Sequence, residues 1–244
     1  MSKFPSKTTL SIGLIILLML PLAVPAVAGS VNKSVRIEAG TTVDEASSVN
    51  GSVTVGEGAT VTDEVSTVNG AIRIESNAVV GDVSTVNGSL RIADEVKAKS
   101  LETVNGAIDV DRGASVERGV ETVNGSIDIA EGGSVGGDLS NVNGRIEVTA
   151  GEVGGDLATV NGDIYLNDGA ILRGDLLVEK PGGWGWNNSK RRNPTIVIGP
   201  NSKVFGMIRL EREVELYISD RAEVGGVEGE MSMADAVRFS GNRP

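Results

Sequence analysis

Hydrophobic residues recur at intervals of six along most of this chain. Val68, Ile74, Val80 and Val86 show the interval, which continues to Ile92. In short stretches such as Ala-Ile-Arg-Ile, apolar and polar residues alternate, as in a strand with one buried face. Three such intervals make a longer repeating unit. We therefore expect each unit to have three short sides whose aliphatic side chains point inward.

The tripeptide Val-Asn-Gly repeats with the period of three such intervals. Its seven copies are spaced by eighteen or nineteen residues, and a degenerate copy, Val31-Asn32-Lys33, lies one unit before the first. The asparagines of the seven copies are Asn50, Asn69, Asn87, Asn105, Asn124, Asn143 and Asn161. Because asparagine and glycine tolerate left-handed backbone conformations, we expect a sharp corner at each copy. The stacked asparagine amides would then form a structural ladder.

The constant spacing decides between the possible repeat folds. An α-helical solenoid does not fit, because apolar residues do not recur at three and four positions and 33 glycines interrupt the chain. Antiparallel hairpins are the stronger alternative, since Asn-Gly favours a hairpin turn, but a meander would let the spacing drift. The sequence therefore predicts an all-β fold, a single-stranded parallel β-helix of triangular cross-section with about ten coils of 18–19 residues.

Residues 1–28 have the layout of a secretory signal peptide. Lys3 and Lys7 accompany an apolar run, Leu10 to Leu20, and Ala26-Val27-Ala28 precedes the expected cleavage site. An uncleaved membrane anchor is the alternative, although the run is shorter than the roughly 17–25 residues of a membrane span. We expect residues 29–230 to form the β-helix, with a loop inserted at 181–194. Residues 231–244 would be a flexible tail or a weak cap.

The composition excludes several functions. A net charge of −11 opposes nucleic-acid binding, because phosphates would be repelled. The chain has no histidine, which excludes a Ser-His-Asp triad and a histidine-ligated zinc. It also has no cysteine, so it cannot form disulfides. Carboxylates are plentiful, but no pair stands out from the repeats, so we expect a protein that is not an enzyme and uses no cofactor.

Two files of acidic residues are expected on the outside of the rod. Four residues after successive asparagines lie Asp109, Asp128 and Glu147, and like charges on adjacent strands would welcome a cation. A solvated face is the simpler interpretation, so these three are only weak candidates and we predict no metal site. The second file, five residues before the asparagines, is Glu45, Glu64, Asp82, Asp138 and Asp156, with Asp175 in the next coil.

The inserted loop holds the best candidate for a partner-binding site. Trp184 and Trp186 lie near a basic cluster, Lys190, Arg191 and Arg192. Aromatic rings beside cations could stack on sugars or bind a protein partner. Alternatively, the tryptophans fold back and cover apolar surface of the rod.

Residues 195–229 resemble the bactofilins, which are bacterial polymer-forming cytoskeletal proteins. The matching stretches are Ile198-Gly199-Pro200-Asn201-Ser202, Val204-Phe205-Gly206-Met207-Ile208 and Ala222-Glu223-Val224-Gly225-Gly226-Val227-Glu228-Gly229. The VNG copies are similar to the repeats of bacterial putative adhesins that carry a β-helical domain. The resemblance to bactofilins implies a right-handed β-helix that joins end to end into filaments. The signal peptide is a departure, because most bactofilins act in the cytoplasm.

We therefore expect an exported structural protein, in the periplasm or at the cell surface. It would assemble end to end with copies of itself or act as a scaffold in the cell envelope. The alternative is an adhesin or glycan-binding module, in which the basic loop contacts envelope glycan or a membrane-associated protein.

Overall fold

The predicted parallel β-helix is confirmed. The computed structural model describes residues 27–181 and 192–244, and within them every pair of neighbouring strands is parallel. The chain winds through about 11 turns, one more than the sequence suggests. None of the helices in these two segments is long and apolar enough to span a membrane.

The strands are short and follow one another at a regular spacing. The first fourteen are β1 (Val27–Ser30), β2 (Val35–Ile37), β3 (Thr42–Asn50), β4 (Val53–Val55), β5 (Thr60–Asn69), β6 (Ile72–Ile74), β7 (Val79–Asn87), β8 (Leu90–Ile92), β9 (Lys97–Asn105), β10 (Ile108–Val110), β11 (Ser115–Val116), β12 (Val120–Asn124), β13 (Ile127–Ile129) and β14 (Ser134–Val135). The remaining strands are β15 (Leu139–Asn143), β16 (Arg145–Thr149), β17 (Glu152–Val153), β18 (Leu157–Thr159), β19 (Asp163–Asn167), β20 (Ile171–Leu172), β21 (Leu176–Val178), β22 (Thr195–Ile198), β23 (Lys203–Val204), β24 (Ile208–Leu210), β25 (Glu215–Ser219), β26 (Glu223–Val224), β27 (Val227–Gly229) and β28 (Val237–Phe239).

These strands form the three sides of the rod. Side 1 is a sheet of 11 strands: β2, β4, β6, β8, β10, β13, β16, β19, β22, β25 and β28. The other 17 strands form one sheet that covers sides 2 and 3. In β3, β5, β7 and β9 a single strand runs along both sides, and the register shifts where it turns the corner, for example between Val61 and Glu64. From β11 onward each turn has a separate strand on side 2 and on side 3.

A column of aliphatic side chains fills the interior. One turn contributes Ile72, Ile74, Ala78, Val80 and Val83, all at most 3% exposed. Burying each valine or isoleucine is worth about 1.5–3 kcal/mol, so a few per turn bind neighbouring turns together. The buried core of the described residues contains no aromatic side chain, as a narrow interior requires.

The valines of the Val-Asn-Gly copies do not point into this core, contrary to the six-residue pattern. Val86 and Val104 lie outward on side 3 and are partly exposed. The inward residue lies three positions earlier, at Val83 and Leu101, both fully buried. The cause is the irregular corner between sides 2 and 3, which shifts the in-out alternation by one residue. Sequence periodicity alone does not reveal such a shift.

The left-handed corner is also at a different place from the one predicted. Among the residues of the Val-Asn-Gly copies, only Gly144 has a positive φ, of 124°. Positive φ values occur instead in the turn after side 1, for example at Gly58, Asn77, Glu95 and Gly113, with φ of 63°, 62°, 59° and 65°. The Val-Asn-Gly corner therefore depends on something other than left-handed backbone.

Three segments were predicted to lie outside the regular repeats, and the structure treats each of them differently. Residues 1–26 lie outside the described part, and β1 includes the last two residues of the predicted signal peptide. Ile164 pairs with Ile196 of the following turn, so the turn that contains residues 182–191, which are not described, is longer than the others. Residues 231–244 include a 3-10 helix, Met233–Asp235, and β28, which pairs with β25.

A pair of alanine substitutions tests the shifted alternation on side 3. Leu101→Ala removes a fully buried side chain and should lower the free energy of unfolding by about 2–5 kcal/mol. Val104→Ala, three residues away but pointing outward, should cost about 1 kcal/mol or less. Urea denaturation followed by circular dichroism measures both, and equal losses would contradict the assignment.

Candidate functional site

The Val-Asn-Gly corner brings one asparagine from each turn onto a common line. The Nδ2 of each asparagine donates to the Oδ1 of the asparagine in the preceding turn, at 2.9–3.1 Å. The ladder runs through Asn32, Asn50, Asn69, Asn87, Asn105, Asn124, Asn143 and Asn161. Aligned amides polarise one another, so the ladder strengthens as it lengthens.

Glycine follows every asparagine of the ladder from Asn50 to Asn161 because the stacked backbones approach closely. A Cβ built on Gly106 would lie 1.9 Å from the carbonyl oxygen of Gly88, and one on Gly125 would lie 1.7 Å from that of Gly106. No side chain fits at such distances. Apart from Gly144, whose φ is also positive, these glycines are thus required by contact between turns and not by their own dihedral angles.

A buried polar side chain two residues before the asparagine completes the corner, and the sequence pattern was not interpreted this way. In four successive turns the threonine Oγ1 donates to the carbonyl oxygen of the glycine in the preceding turn, at 2.9–3.2 Å. These residues are Thr67, Thr85, Thr103 and Thr122, all at most 3% exposed. The signal was present in the sequence, because serine, threonine or asparagine occupies this position in every copy.

The asparagine ladder ends on a cation. Arg212 donates from Nη1 to Oδ1 of Asn161 at 3.2 Å and to the carbonyl oxygen of Val160 at 3.3 Å. Because every amide donates toward the N-terminal end, the carbonyl at Asn161 is the negative end of the ladder. A guanidinium is the donor suited to that end.

The predicted acidic stripe on side 1 exists but is partly neutralised. Asp109, Asp128 and Glu147 lie in register on adjacent strands. Arg145 contacts Asp128 at 2.9 Å and Glu147 at 3.3 Å, and Arg91 contacts Asp109 at 3.5 Å. Within the described ranges no group of three acidic side chains is placed to hold a metal ion.

The C-terminal half of the second acidic file has a structural role. The Oδ1 of Asp138 accepts the backbone N–H of Asp156 at 2.8 Å, and that of Asp156 accepts the N–H of Asp175 at 2.8 Å. Asp175 in turn accepts the N–H of Met207 at 2.7 Å. These carboxylates therefore join turns at the corner before side 3.

The N-terminal half of the same file borders a groove on side 3. The groove has a volume of about 510 Å³, and its charged lining includes Glu64, Asp82, Glu102, Glu121, Lys99 and Arg118. Asp82 accepts hydrogen bonds from Ser100 Oγ at 2.5 Å and from Arg118. Glu64 accepts one from Ser84 at 3.0 Å.

Three glutamates of this groove share the same electrostatic perturbation. Burial raises the pKa of Glu64, Glu102 and Glu121, and neighbouring carboxylates raise each of them further. At Glu64 the hydrogen bond from Ser84 opposes the rise, and at Glu102 the charge of Arg118 opposes it. The groove can therefore take up protons more readily than isolated glutamates would.

The structure describes only the first residue and the last three residues of the loop predicted at 181–194. Trp184, Trp186, Lys190 and Arg191 lie outside the described residues. Arg192 is described, and it donates from Nη2 to Oδ2 of Asp163 at 2.5 Å. Binding through the two tryptophans remains a prediction.

Comparison of the chain with family models, with curated proteins and with solved structures gave no match.

Replacing one buried hydroxyl tests the corner. Thr103→Val keeps the shape of the side chain but removes the donor to the carbonyl of Gly88, so the unfolding free energy should fall by about 1–3 kcal/mol. Thr103→Ser retains the hydroxyl and should recover part of that loss. Thermal and urea denaturation measure both variants, and a valine variant as stable as the wild type would contradict a role for this bond.

The groove should make stability depend on pH in a defined direction. Because the pKa of Glu121 is raised in the folded protein, its ionised form destabilises the fold. That cost is absent below the unfolded-state pKa and appears as the pH rises through the folded-state pKa. Glu121→Gln should therefore raise the melting temperature at pH 7–8, and the difference should vanish once the pH is below the ordinary pKa of 4.5. Equal melting temperatures at pH 8 would contradict this interpretation.

Proposed function

We propose that this chain is an exported structural protein whose rods stack end to end into filaments at the cell envelope. The proposal is supported chiefly by the two ends of the aliphatic column. Seven apolar residues pack against the core yet are only partly buried: Ala28, Val43, Ala222, Val224, Val227, Met231 and Ala236. All seven belong to the first or the last turns of the rod. Apolar surface is therefore left where another rod would continue the column.

The backbone at the two ends of the rod is also incompletely paired. β1 pairs only with β3 and β2 only with β4, while β27 pairs only with β24 and β28 only with β25. Their outer edges present N–H and C=O groups without a strand partner among the described residues. Such edges are templates for another strand of the same kind.

The two ends differ from each other, which determines the kind of assembly. After the expected cleavage behind Ala28, the N-terminal end offers Val43, and the C-terminal end offers Val224, Val227 and Met231. Stacking the C-terminal end of one copy on the N-terminal end of the next continues both the strands and the core. A head-to-tail contact of this kind does not close, so it generates a filament.

Export is the part of the proposal that rests on the sequence. The basic and apolar layout of residues 1–28 supports it. The proposed partner is a second copy of the chain, and no catalytic step is invoked.

A charge placed on one end should prevent assembly. Val227→Lys puts an ammonium group on the C-terminal end of the core, where a stacked copy would have to bury it. We expect the wild-type chain to form filaments in electron micrographs and to sediment rapidly, and the variant to remain in short, slowly sedimenting species. In fractionated cells, the wild-type protein should be shortened at its N-terminus and recovered with the envelope.

Val104→Lys is the matched control, because Val104 lies outward on side 3, far from both ends. It should leave filament length unchanged. A wild-type chain that stays monomeric at high concentration would refute the proposal, as would filaments that tolerate the lysine at position 227.

A further inference from the structure

Side 1 carries charge in two blocks of opposite sign. Its central outward column reads, in successive turns, Arg36, Thr54, Arg73, Arg91, Asp109, Asp128, Glu147 and Tyr165. The N-terminal half of this column is basic and the following turns are acidic. The change of sign falls between Arg91 and Asp109.

Within one rod Arg91 pairs with Asp109, and Arg145 pairs with Asp128 and Glu147, but like charges still lie side by side. Arg73 lies directly beside Arg91, and Asp128 lies between Asp109 and Glu147, in register on strands about 4.8 Å apart. Like charges opposite each other on neighbouring strands are destabilising. Arg36 and Arg73 form no ion pair with any residue that the structure describes.

We propose that side 1 binds side 1 of a second copy with the two rods antiparallel. The two-fold axis runs along the strand direction and passes midway between Arg91 and Asp109. It places the basic block of each rod opposite the acidic block of the other. Arg91 then faces Asp109 of the second copy, and Arg73 faces Asp128. Because the axis is two-fold, each of these pairs forms twice.

The residues beside the central column permit the approach. On one flank Ala71, Ser89, Ala107 and Ser126 occupy four successive turns. The two-fold axis places Ala71 opposite Ser126 and Ser89 opposite Ala107, so only small side chains meet. Stacked sheets lie about 10 Å apart, a gap that an arginine and an aspartate can bridge between them.

The other flank contains acidic residues, but they do not oppose one another. In the same arrangement Glu75 faces Ala130 of the second copy, and Asp111 faces Ala93. Every carboxylate on this face therefore meets either a cation or a small side chain in the four central turns. Sliding the rods by one turn would place Asp109 against its own copy, so charge also selects the register.

Lateral pairing is separate from end-to-end stacking and responds differently to salt. Stacking at the ends depends on apolar burial, whereas the pairing of side 1 depends on partly exposed charges. Raising the ionic strength to about 0.5 M should separate paired filaments into single ones without shortening them.

A charge exchange tests the pairing in a chain whose ends are blocked by Val227→Lys. We expect this background to be a dimer in sedimentation equilibrium. Arg73→Glu places a second carboxylate opposite Asp128, and Asp128→Arg places two guanidinium groups opposite each other, so each single variant should weaken dimerisation at least about tenfold. The double variant Arg73→Glu with Asp128→Arg should restore the dimer, as should an equimolar mixture of the two single variants.

The design separates pairing from folding. Arg73→Glu replaces a like-charge neighbour of Arg91 by an opposite charge. Asp128→Arg does the same beside Asp109 and Glu147 but loses the ion pair with Arg145, and recovery of pairing in the mixture shows that this variant is still folded. Lys97→Glu is the control, since Lys97 lies outward on side 2 of the same region, and it should leave the dimer intact. A background protein that is monomeric, or single variants that dimerise as tightly as the background, would overturn the proposal. So would failure of both the double variant and the mixture to recover pairing. Single-width filaments of the wild-type chain at low salt would refute lateral pairing while leaving end-to-end assembly intact.

Discussion

The structure depends on one constraint, that every turn must stack on the previous turn at the spacing of hydrogen-bonded parallel strands, about 4.8 Å. Where the backbones of two stacked turns are in direct contact at this spacing, there is no room for a side chain between them. The corner after each asparagine is such a place, as the 1.9 Å distance from a Cβ on Gly106 to Gly88 shows. The repeat is therefore maintained along the rod by geometry, turn after turn.

Two kinds of interaction hold the stacked turns. Aliphatic side chains supply the burial, and they form one continuous column from Val35 to Ile218. Hydrogen bonds from side chains to the preceding turn join the corners. Asparagine amides form them on the outside, and threonine hydroxyls form them on the inside. Within the described residues, no buried side-chain nitrogen or oxygen lacks a hydrogen-bond partner. The polar side chains of the corner are thus engaged in holding neighbouring turns together.

Freedom from the constraint exists only at the ends and on outward positions. At the ends of the described rod the column and the strand edges are incomplete, and the proposed assembly depends on this. On the sides, outward residues can change without disturbing the stack, so they can carry a pattern with another purpose. The reversal of charge between Arg91 and Asp109 is such a pattern, as is the group of glutamates with raised pKa values in the groove of side 3.

The sequence by itself determined the period, the parallel stacking and the asparagine file, because each depends on local pattern and on counting residues between copies. It could not determine which valine points inward, since the irregular corner before Val83 shifts the alternation and leaves Val86 outside. Nor could it show that Thr103 donates to Gly88 in the preceding turn, or that Arg212 contacts Asn161 two turns away. Such contacts join residues in different turns. Their geometry is fixed only when the backbone of one turn is placed against the next, which is a property of the tertiary structure.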